Sequence, residues 1–454
     1  MALLFVLWLM TILCVVAMEM KFASHLHMQV TAALGQETKT LFYARAGVER
    51  AIADMVLEKN AITMPLEQRE IDEADYRDVP VGDGTYTLYA GMDVDGQHRY
   101  GLRDECAKIN VSTTDPAVLA KIPGLSESLA ADIAALRQHE PIQDLGDLLK
   151  LENVTLFTLY GEDQNRNGIL DPNEDDGDRS WPSDNADGHL DSGLSAYLTV
   201  WSAIHEVSLD NKARIKLNKA GADEITKAIK DINQQQADSI VAYRDKKKFG
   251  SIAELLDVEL VEKVEQKGQP ARKGSPKQSK PETDKEDKNK EQNASEDLSR
   301  GGSKKGEAAP GKNQGNQTTR STGVKAFDTA AFKRVADFVT IADEDVTRGL
   351  VNINTASEEV LACLPGIDEG LARRIVSERD GMKDHYKSVA DLLDVNGMTT
   401  ELFKGLCMRI TARSDVFEAR SFGALEGSKS YRCVSAILDR TEDEFHIRAW
   451  KEIE

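Results

Sequence analysis

The residues best suited to chemistry form an acidic loop that matches the calcium-binding pattern D-x-[DN]-x-[DN]-G-x5-E at every specified position. Ca²⁺ prefers about six to eight oxygen ligands, and this spacing curls the chain so that side-chain oxygens converge. Gly168 permits the sharp turn that such a loop needs. A solvated acidic turn without a metal is the alternative. The predicted Ca²⁺ ligands are Asp163, Asn165, Asn167, Ile169 through its main-chain carbonyl, Asp171 and Glu174.

A second acidic segment follows this loop. It lacks a closing glutamate, because a loop begun at Ser183 would end on Leu194. The segment either holds a second Ca²⁺ or remains a solvated loop. A bound ion would neutralise the clustered carboxylates and pin a long loop, so calcium binding would stabilise the folded protein. The candidate ligands of this second site are Asp176, Asp178, Asn185, Asp187 and Asp191.

The acidic loop lies within a helical region that contains three sequence repeats. Each copy is predicted to form a strand-like entry, a helix, a short hairpin, a second helix and a closing amphipathic helix. Asn110, Asn218 and Asn354 are predicted to occupy matching places before the first helix. Thr, Asp or Ser residues at the helix starts supply N-caps. The copies begin with KINVSTTDPAVLAKIPGL, IKLNKAGADEITKAIKDI and VNINTASEEVLACLPGI.

The N-terminal stretch from Ala2 to Met18 is apolar and uncharged, and its length is close to that needed to cross a bilayer core. An amphipathic pattern at helical spacing follows it, and no proline occurs between Met1 and Ala61. These features predict one helix of about 55 residues that begins as a membrane anchor. A cleaved signal peptide is the alternative, but no basic region precedes the run and no clear small-x-small cleavage site follows it.

Strand-like segments occur at both ends of the remaining chain. The turn signal at residues 82–84 lies between two of them, and another lies near Tyr100. Three β-rich stretches close the chain, namely Phe417 to Leu425, Tyr431 to Leu438 and Phe445 to Trp450. The predicted fold is α+β, with a long N-terminal helix packed on an antiparallel sheet and a large all-α domain inserted in that sheet.

The N-terminal helix resembles that of type IV pilins and pseudopilins. The stretches ALLFVLWLMTIL, ARAGVERAIADM and GLRDECAKINVS, together with the calcium segment, resemble the K-type minor pseudopilin of type II secretion systems. This resemblance implies a pilin-like sheet and a calcium-binding, helix-hairpin-helix (SAM-like) insertion. Phe5 stands where most pseudopilins carry a glutamate, a departure that is typical of the K type. The family's leader does not precede Met1, which implies a late start or a processed form.

The same resemblance implies a non-enzymatic protein at the tip of the pseudopilus, which starts assembly and supports protein export across the outer membrane. The expected location is the inner membrane, crossed once, with the bulk of the chain in the periplasm. The expected partners are the I- and J-type minor pseudopilins, the pseudopilus, the inner membrane, and the secretin or the exported cargo. Nucleic acid is not an expected partner.

The repeats also resemble the helix-hairpin-helix of competence DNA receptors, in which a hairpin aims main-chain N–H groups at a phosphate. In the third repeat, Asp368 replaces a glycine of that hairpin and would set a negative charge against the phosphate. The chain has 57 basic and 77 acidic residues, a net charge of −20, which repels nucleic acid on average. A structural use of the repeats is favoured, and a membrane-tethered DNA receptor is the alternative function.

Composition and pattern divide the chain into six segments. Residues 263–325 are rich in Lys, Glu, Gly, Ser and Pro and are predicted to be a disordered linker, because they cannot bury enough apolar surface. The other segments are 1–20 (membrane part of the helix), 21–107 (rest of the helix and first strands), 108–262 (helical insertion with two repeats and the loop), 326–414 (third repeat) and 415–454 (last strands).

The cysteines and histidines suggest little chemistry. Cys106 and Cys433 lie near strand-like segments, so a disulfide between them is a hypothesis. No G-x-x-x-x-G-K-[ST], G-x-S-x-G or H-E-x-x-H motif occurs, and the eight histidines are scattered. The sequence therefore predicts no active site.

Overall fold

The computed structural model describes residues 2–59, 73–92, 98–181, 183–264, 318–381, 385–428, 430–442 and 444–453. It begins with α1 (Ala2–Lys59), a helix of 58 residues that no proline interrupts. Side chains 2–39 are exposed, and within the described chain α1 is the helix long and apolar enough to cross a membrane. One face of its C-terminal part is buried at a spacing of three and four residues, through Thr40, Ala44, Val48, Ala51 and Met55.

A short helix and four strands follow α1. The turn between the first two strands is tied to α1, because the Asp83 carboxylate accepts hydrogen bonds from Lys39 Nζ (2.5 Å) and from Tyr43 Oη. The elements are α2 (Glu73–Tyr76), β1 (Val79–Val81), β2 (Gly84–Met92), β3 (His98–Tyr100) and β4 (Arg103–Asp104).

Three similar units then form the helical insertion. Each unit contains a short strand, a helix, a hairpin, a helix of 13 residues, a 3-10 helix of six residues, a further helix and a closing strand parallel to the first. The first unit has β5 (Ile109–Asn110), α3 (Pro116–Leu119), α4 (Glu127–His139), the 3-10 helix Leu145–Lys150, α5 (Leu156–Tyr160) and β6 (Leu198–Thr199).

The second unit is bounded by two strands that pair with each other, β7 (Ala203–His205) and β12 (Val346–Arg348). Between them lie β8 (Ile215–Lys216), α6 (Ala222–Ala228), α7 (Gln234–Lys246), the 3-10 helix Ile252–Asp257, β9 (Glu259–Val264), β10 (Thr318–Lys325), α8 (Thr329–Val335) and β11 (Val339–Thr340). The third unit has β13 (Val351–Asn352), α9 (Glu358–Cys363), α10 (Glu369–Gly381), the 3-10 helix Val389–Asp394, α11 (Thr400–Leu406) and β14 (Ile410–Thr411).

An arginine near the end of each 13-residue helix holds its unit together. Its guanidinium donates hydrogen bonds to main-chain carbonyls in the turn before the unit's first helix. In the third unit, Arg379 Nη1 reaches the carbonyl oxygens of Ile353 (3.2 Å) and Ala356 (2.8 Å). Arg137 and Arg244 make the equivalent contacts in the first and second units. All three predicted repeats are therefore one structural unit used three times.

One predicted equivalence between the repeats is wrong. Asn218 and Asn354 do match, because each side-chain oxygen accepts a hydrogen bond (2.9 and 3.0 Å) from the main chain that follows the 13-residue helix. Asn110 instead matches Asn352, and each accepts from the main-chain N–H two residues later (2.9 and 3.0 Å). The error arose because asparagines recur two residues apart in the third repeat.

Part of the predicted linker forms regular structure. Residues 265–317, its larger part, lie outside the described residues. Residues 318–325, however, form β10, which pairs antiparallel with β9 from Thr318 opposite Val264. The Thr, Ser and Val residues of β10 favour extended backbone, so the linker prediction was wrong for β10 and for the last two residues of β9.

The disulfide hypothesis is also wrong, because all five cysteines are free thiols. Cys106 Sγ contacts the carbonyl oxygen of Ala203 (3.6 Å) at the base of the insertion. Cys433 packs instead in the sheet, with Phe422 and Ile453. The two thiols thus belong to different packing environments.

The last strands complete a seven-stranded antiparallel sheet of order β1-β2-β15-β16-β17, with β3 beside β2 and β4 beside β15. They are β15 (Val416–Leu425), β16 (Tyr431–Asp439) and β17 (His446–Ile453). The C-terminal part of α1 packs on one face, where Val48 joins a cluster with Ala419, Val434 and Leu438. The predicted fold class is confirmed: a long helix lies on an antiparallel sheet into which the helical units are inserted.

Gly423 lets α1 approach β15 very closely. A Cβ atom at this position would lie 2.0 Å from the carbonyl oxygen of Thr40 and 2.3 Å from the main-chain nitrogen of Ala44. We expect Gly423→Ala to lower the free energy of unfolding by about 1–3 kcal/mol, because helix and strand must separate. The control is Gly35→Ala, in the exposed part of α1, where nothing lies within 4 Å of the Cβ position. Urea unfolding of the full chain in detergent measures both, and equal stability of the two variants would contradict this packing.

Candidate metal centre

The acidic loop leaves the first unit after α5 and returns before β6. Helix α5 ends at Gly161, whose φ of +59° turns the chain away from the helix axis. Within the loop, Asn165 Oδ1 accepts a hydrogen bond from the Asn167 N–H (2.9 Å), and Asn167 Oδ1 accepts one from the Ile169 N–H (2.7 Å). Two successive Asx turns therefore curl the main chain, as the predicted motif requires.

The carboxylates of the loop accept hydrogen bonds from its main chain and from its amide side chains. Asp163 Oδ2 accepts from the Gly168 N–H (3.1 Å), and Glu174 Oε2 accepts from the Asp171 N–H (3.2 Å). Asp171 Oδ2 accepts from the side-chain amides of Asn165 and Asn167, each at 2.8 Å. Five of the six predicted ligands thus form one hydrogen-bonded group, and the sixth, Asp163, is tied to the same turn through the Gly168 N–H.

The electrostatics of this group favour a cation. Glu174 is 1% exposed, and burial, together with the charges of Asp163 and Asp171, raises its pKa to about 7. Burial also raises the pKa of Asp163, and its buried Oδ1 has no hydrogen-bond partner. Buried carboxylates cost free energy unless an opposite charge compensates them. An orphaned oxygen and two buried carboxylates fit a Ca²⁺ ion, which would supply that charge.

The donor set differs from a preformed acidic cluster. Within the described ranges, no group of three or more His, Cys, Asp or Glu side chains is arranged to hold a metal. The predicted set mixes three carboxylates with two amides and one main-chain carbonyl. Such mixed oxygen sets suit Ca²⁺, which accepts carbonyl and amide oxygens.

Three strands of the sheet provide the floor beneath the loop. Arg420 Nη1 of β15 donates to the carbonyl oxygen of Asn167 (3.2 Å), and Lys451 Nζ of β17 donates to that of Asn165 (3.4 Å). Tyr431 Oη of β16 donates to Asp171 Oδ1 (2.7 Å). Sequence reasoning missed these residues because they lie more than 250 positions further along the chain. The sequence does carry one signal for them. On each strand they alternate with residues that face α1, which places them on the opposite face of the sheet.

The candidates for the second site are not gathered in one place. Asn185, Asp187 and Asp191 are exposed, and each side chain accepts a hydrogen bond (2.8 to 2.9 Å) from a main-chain N–H two residues later. Asp178 is exposed as well, and Asp176 accepts from Ser180.

The residue that organises this segment is one that the sequence did not single out. Glu162 is 3% exposed, and its carboxylate accepts from the N–H groups of Asn185 (3.4 Å) and Asp191 (3.2 Å). Burial raises its pKa. Asp184 acts similarly for the preceding turn, because it accepts from the N–H groups of Asp176 and Gly177. The motif offers no signal for either residue, because Glu162 precedes it and Asp184 follows it.

Comparisons with known proteins identify two of the three units. A family model described as the helix-hairpin-helix motif matches residues 210–265 and 346–411, which correspond to the second and third units. A comparison with curated proteins finds no match. Among solved structures, the chain is similar to a chain of the crystal structure of the GspK-GspI-GspJ complex from the type 2 secretion system of enterotoxigenic Escherichia coli. The identity is 12%, the alignment covers 93% of this chain and 99% of that chain, and the TM-score is 0.30.

Gly168 is required by both conformation and space. Its φ is +73°, and a Cβ atom would lie 1.6 Å from Arg420 Nη1. Gly177 has nearly the same φ, +74°, but nothing lies within 4 Å of its Cβ position. Left-handed backbone costs a non-glycine residue about 1–2 kcal/mol, so Gly177→Ala measures that cost alone.

We expect Gly168→Ala to cost at least about 1 kcal/mol more than Gly177→Ala, because Arg420 must also move. Urea unfolding in the presence of a calcium chelator compares the two variants on the metal-free protein. Equal losses would mean that the loop does not sit against Arg420.

Proposed function

We propose that this chain is a K-type minor pseudopilin of a type II secretion system. In this proposal it stands at the tip of the pseudopilus, starts assembly and supports protein export across the outer membrane. The observation that supports it is the division of α1 into two parts. The first 38 of its residues, 2–39, are exposed, and the remainder packs on the antiparallel sheet.

The exposed part of α1 suits both a membrane and neighbouring helices. Leu3, Leu7 and Trp8 are more than 60% exposed, and the stretch through Met18 carries no charge. An apolar surface of this length is stable in a bilayer core. The proposed location is the inner membrane, crossed once, with the sheet and the helical units in the periplasm. The proposed partners are the I- and J-type minor pseudopilins.

The helical units support a position at the tip. They are inserted between β4 and β15 and extend from the face of the sheet opposite to α1, where the acidic loop lies on β15, β16 and β17. A domain of this size would hinder the stacking of further subunits above it. Phe5 stands where most pseudopilins carry a glutamate that pairs with the preceding subunit. The lack of this glutamate suits a tip subunit, because no subunit precedes it.

We also propose that the acidic loop binds Ca²⁺ through Asp163, Asn165, Asn167, Ile169, Asp171 and Glu174. The ion would neutralise the buried carboxylates and stabilise the loop on the sheet. A second ion, with ligands among Asp176, Asp178, Asn185, Asp187 and Asp191, would require the exposed side chains of that segment to turn inward. The role of the metal is structural, and no catalytic step is proposed.

The helix-hairpin-helix match makes a DNA receptor the second candidate, but the hairpin of the third unit is used internally. Asp368 accepts from the Leu371 N–H (2.7 Å) and so caps α10 with its own carboxylate. Arg373 lies 3.4 Å from Glu358, and Arg374 Nε donates to the carbonyl oxygen of Asn396 (2.8 Å). A capped helix start and engaged arginines favour a protein scaffold over phosphate binding.

Assembly tests the first proposal. The full chain in detergent, mixed with the I- and J-type minor pseudopilins of the same system, is expected to elute as one ternary complex in size-exclusion chromatography. Duplex DNA is expected to show no retardation with the same preparation. Absence of the complex, together with DNA retardation that Arg373→Ala/Arg374→Ala abolishes, would favour the DNA receptor instead.

Calorimetry tests the metal site. Glu174→Gln is expected to weaken calcium binding at least about tenfold, because it removes one charge and a carboxylate oxygen from the site. Glu152→Gln, an exposed glutamate outside the loop, is the control. Calcium at about 100 times its dissociation constant should stabilise the wild-type protein by about 2.7 kcal/mol. No binding at millimolar calcium, or unchanged affinity in Glu174→Gln, would refute the assignment.

A further inference from the structure

A row of polar side chains crosses the face of the sheet beneath the acidic loop. Arg420 lies opposite Ser435, and Ser435 lies opposite Lys451, so one residue from each of β15, β16 and β17 stands in line. Cross-strand neighbours on the same face are close enough to act together. Arg420 and Lys451 both donate to main-chain carbonyls of the loop. The loop is therefore held by the whole width of this part of the sheet.

Arg420 is fixed in place by a buried partner. Its Nη2 donates to Glu418 Oε1 (2.9 Å), which also accepts from Ser435 Oγ (2.7 Å). Burial opposes ionisation of Glu418, but Arg420 and Lys108 hold its pKa below the usual range. The guanidinium that supports the loop is thus part of a compensated, buried charge group and has little freedom to move.

Tyr431 contacts the side chain of a proposed metal ligand directly. Its hydroxyl donates to Asp171 Oδ1 (2.7 Å), while Asp171 Oδ2 accepts from Asn165 and Asn167 and the Asp171 N–H donates to Glu174. The Asp171 carboxylate therefore orients the side chains of two other proposed ligands, Asn165 and Asn167, and the main chain of Asp171 holds a third, Glu174. Hydrogen bonds of this kind fix ligand orientation in metal sites and tune affinity.

The ring that carries this hydroxyl is itself held by packing. Tyr431 meets the ring of Phe422 edge-on, with centroids 5.6 Å apart. Both rings lie in a cluster with Tyr89, Cys433 and Ile453, against which Ile169 of the loop also packs. A phenylalanine at position 431 would keep these contacts and lose only the hydroxyl.

We propose that Tyr431 is a positioning residue for the calcium site, and that metal occupancy is coupled to strand β16 through Tyr431 and to strand β17 through Lys451. This inference rests on the proposed calcium site and deepens it by naming what the metal regulates. If the strands orient Asp171 for the metal, then the metal stabilises the strands by the same coupling free energy. Strand β17 lies at one end of the strand order, so calcium would set the order of one edge of the sheet.

The first measurement is calcium affinity by calorimetry on the full chain in detergent. Tyr431→Phe is expected to weaken binding by about 10- to 100-fold, with little change in the melting temperature of the chelator-treated protein. Tyr100→Phe, in the same aromatic cluster but on β3, is the matched control and should bind calcium as the wild type does. Wild-type affinity in Tyr431→Phe would overturn the inference and leave the calcium site standing.

The second measurement does not depend on any variant. Hydrogen exchange of the wild-type protein, with and without calcium, is expected to slow in residues 431–439 and 446–453 when the metal binds. Unchanged exchange in both strands, despite measurable binding, would overturn the coupling alone. A wild-type protein that binds no calcium would remove the proposed metal site, and this inference would fall with it.

Discussion

The structure depends on the pairing of β15 with β2 and β4, which lie more than 300 residues earlier in the chain. Phe417 and Glu418 pair with β4, and the run from Ser421 to Leu425 pairs with β2. The insertion can exist only because its two ends meet here, within one ladder. Loop-closure entropy grows slowly with length, so a large folded insertion between paired strands costs little more than a short one. Strand β15 is thus both the middle of the sheet and the base of the insertion.

The two faces of β15 serve different purposes. One face is apolar and lies so close to α1 that a glycine is needed at position 423. The other face carries Glu418 and Arg420, whose charges are compensated and which connect the sheet to the acidic loop. Alternation along a single strand therefore joins the long helix α1 to the proposed metal site. The two faces are linked residue by residue, because successive side chains on a strand point in opposite directions.

Much of this arrangement could be predicted from the sequence, and the rest could not, for physical reasons. The long helix, the final three strands, the repeats and the Asx turns of the loop arise from local periodicity or spacing. The roles of Arg420, Tyr431 and Lys451 arise from strand register, which a single sequence does not reveal. Glu162 acts through main-chain donors in a segment without regular structure. The pairing of β9 with β10 joins residues on either side of a long polar stretch, so no local pattern indicated it.

The antiparallel pairing of β9 and β10 has a consequence for how the second unit tolerates change. Val264 and Thr318 face each other across the pair, so the chain leaves the second unit and re-enters it at adjacent positions. Because β9 and β10 hold these two residues opposite each other, the spacing of the helices on either side does not depend on the stretch between them. The length and composition of the stretch between these residues can therefore vary without disturbing the second unit. Replacing that stretch with a tight turn should leave the neighbouring helices in place.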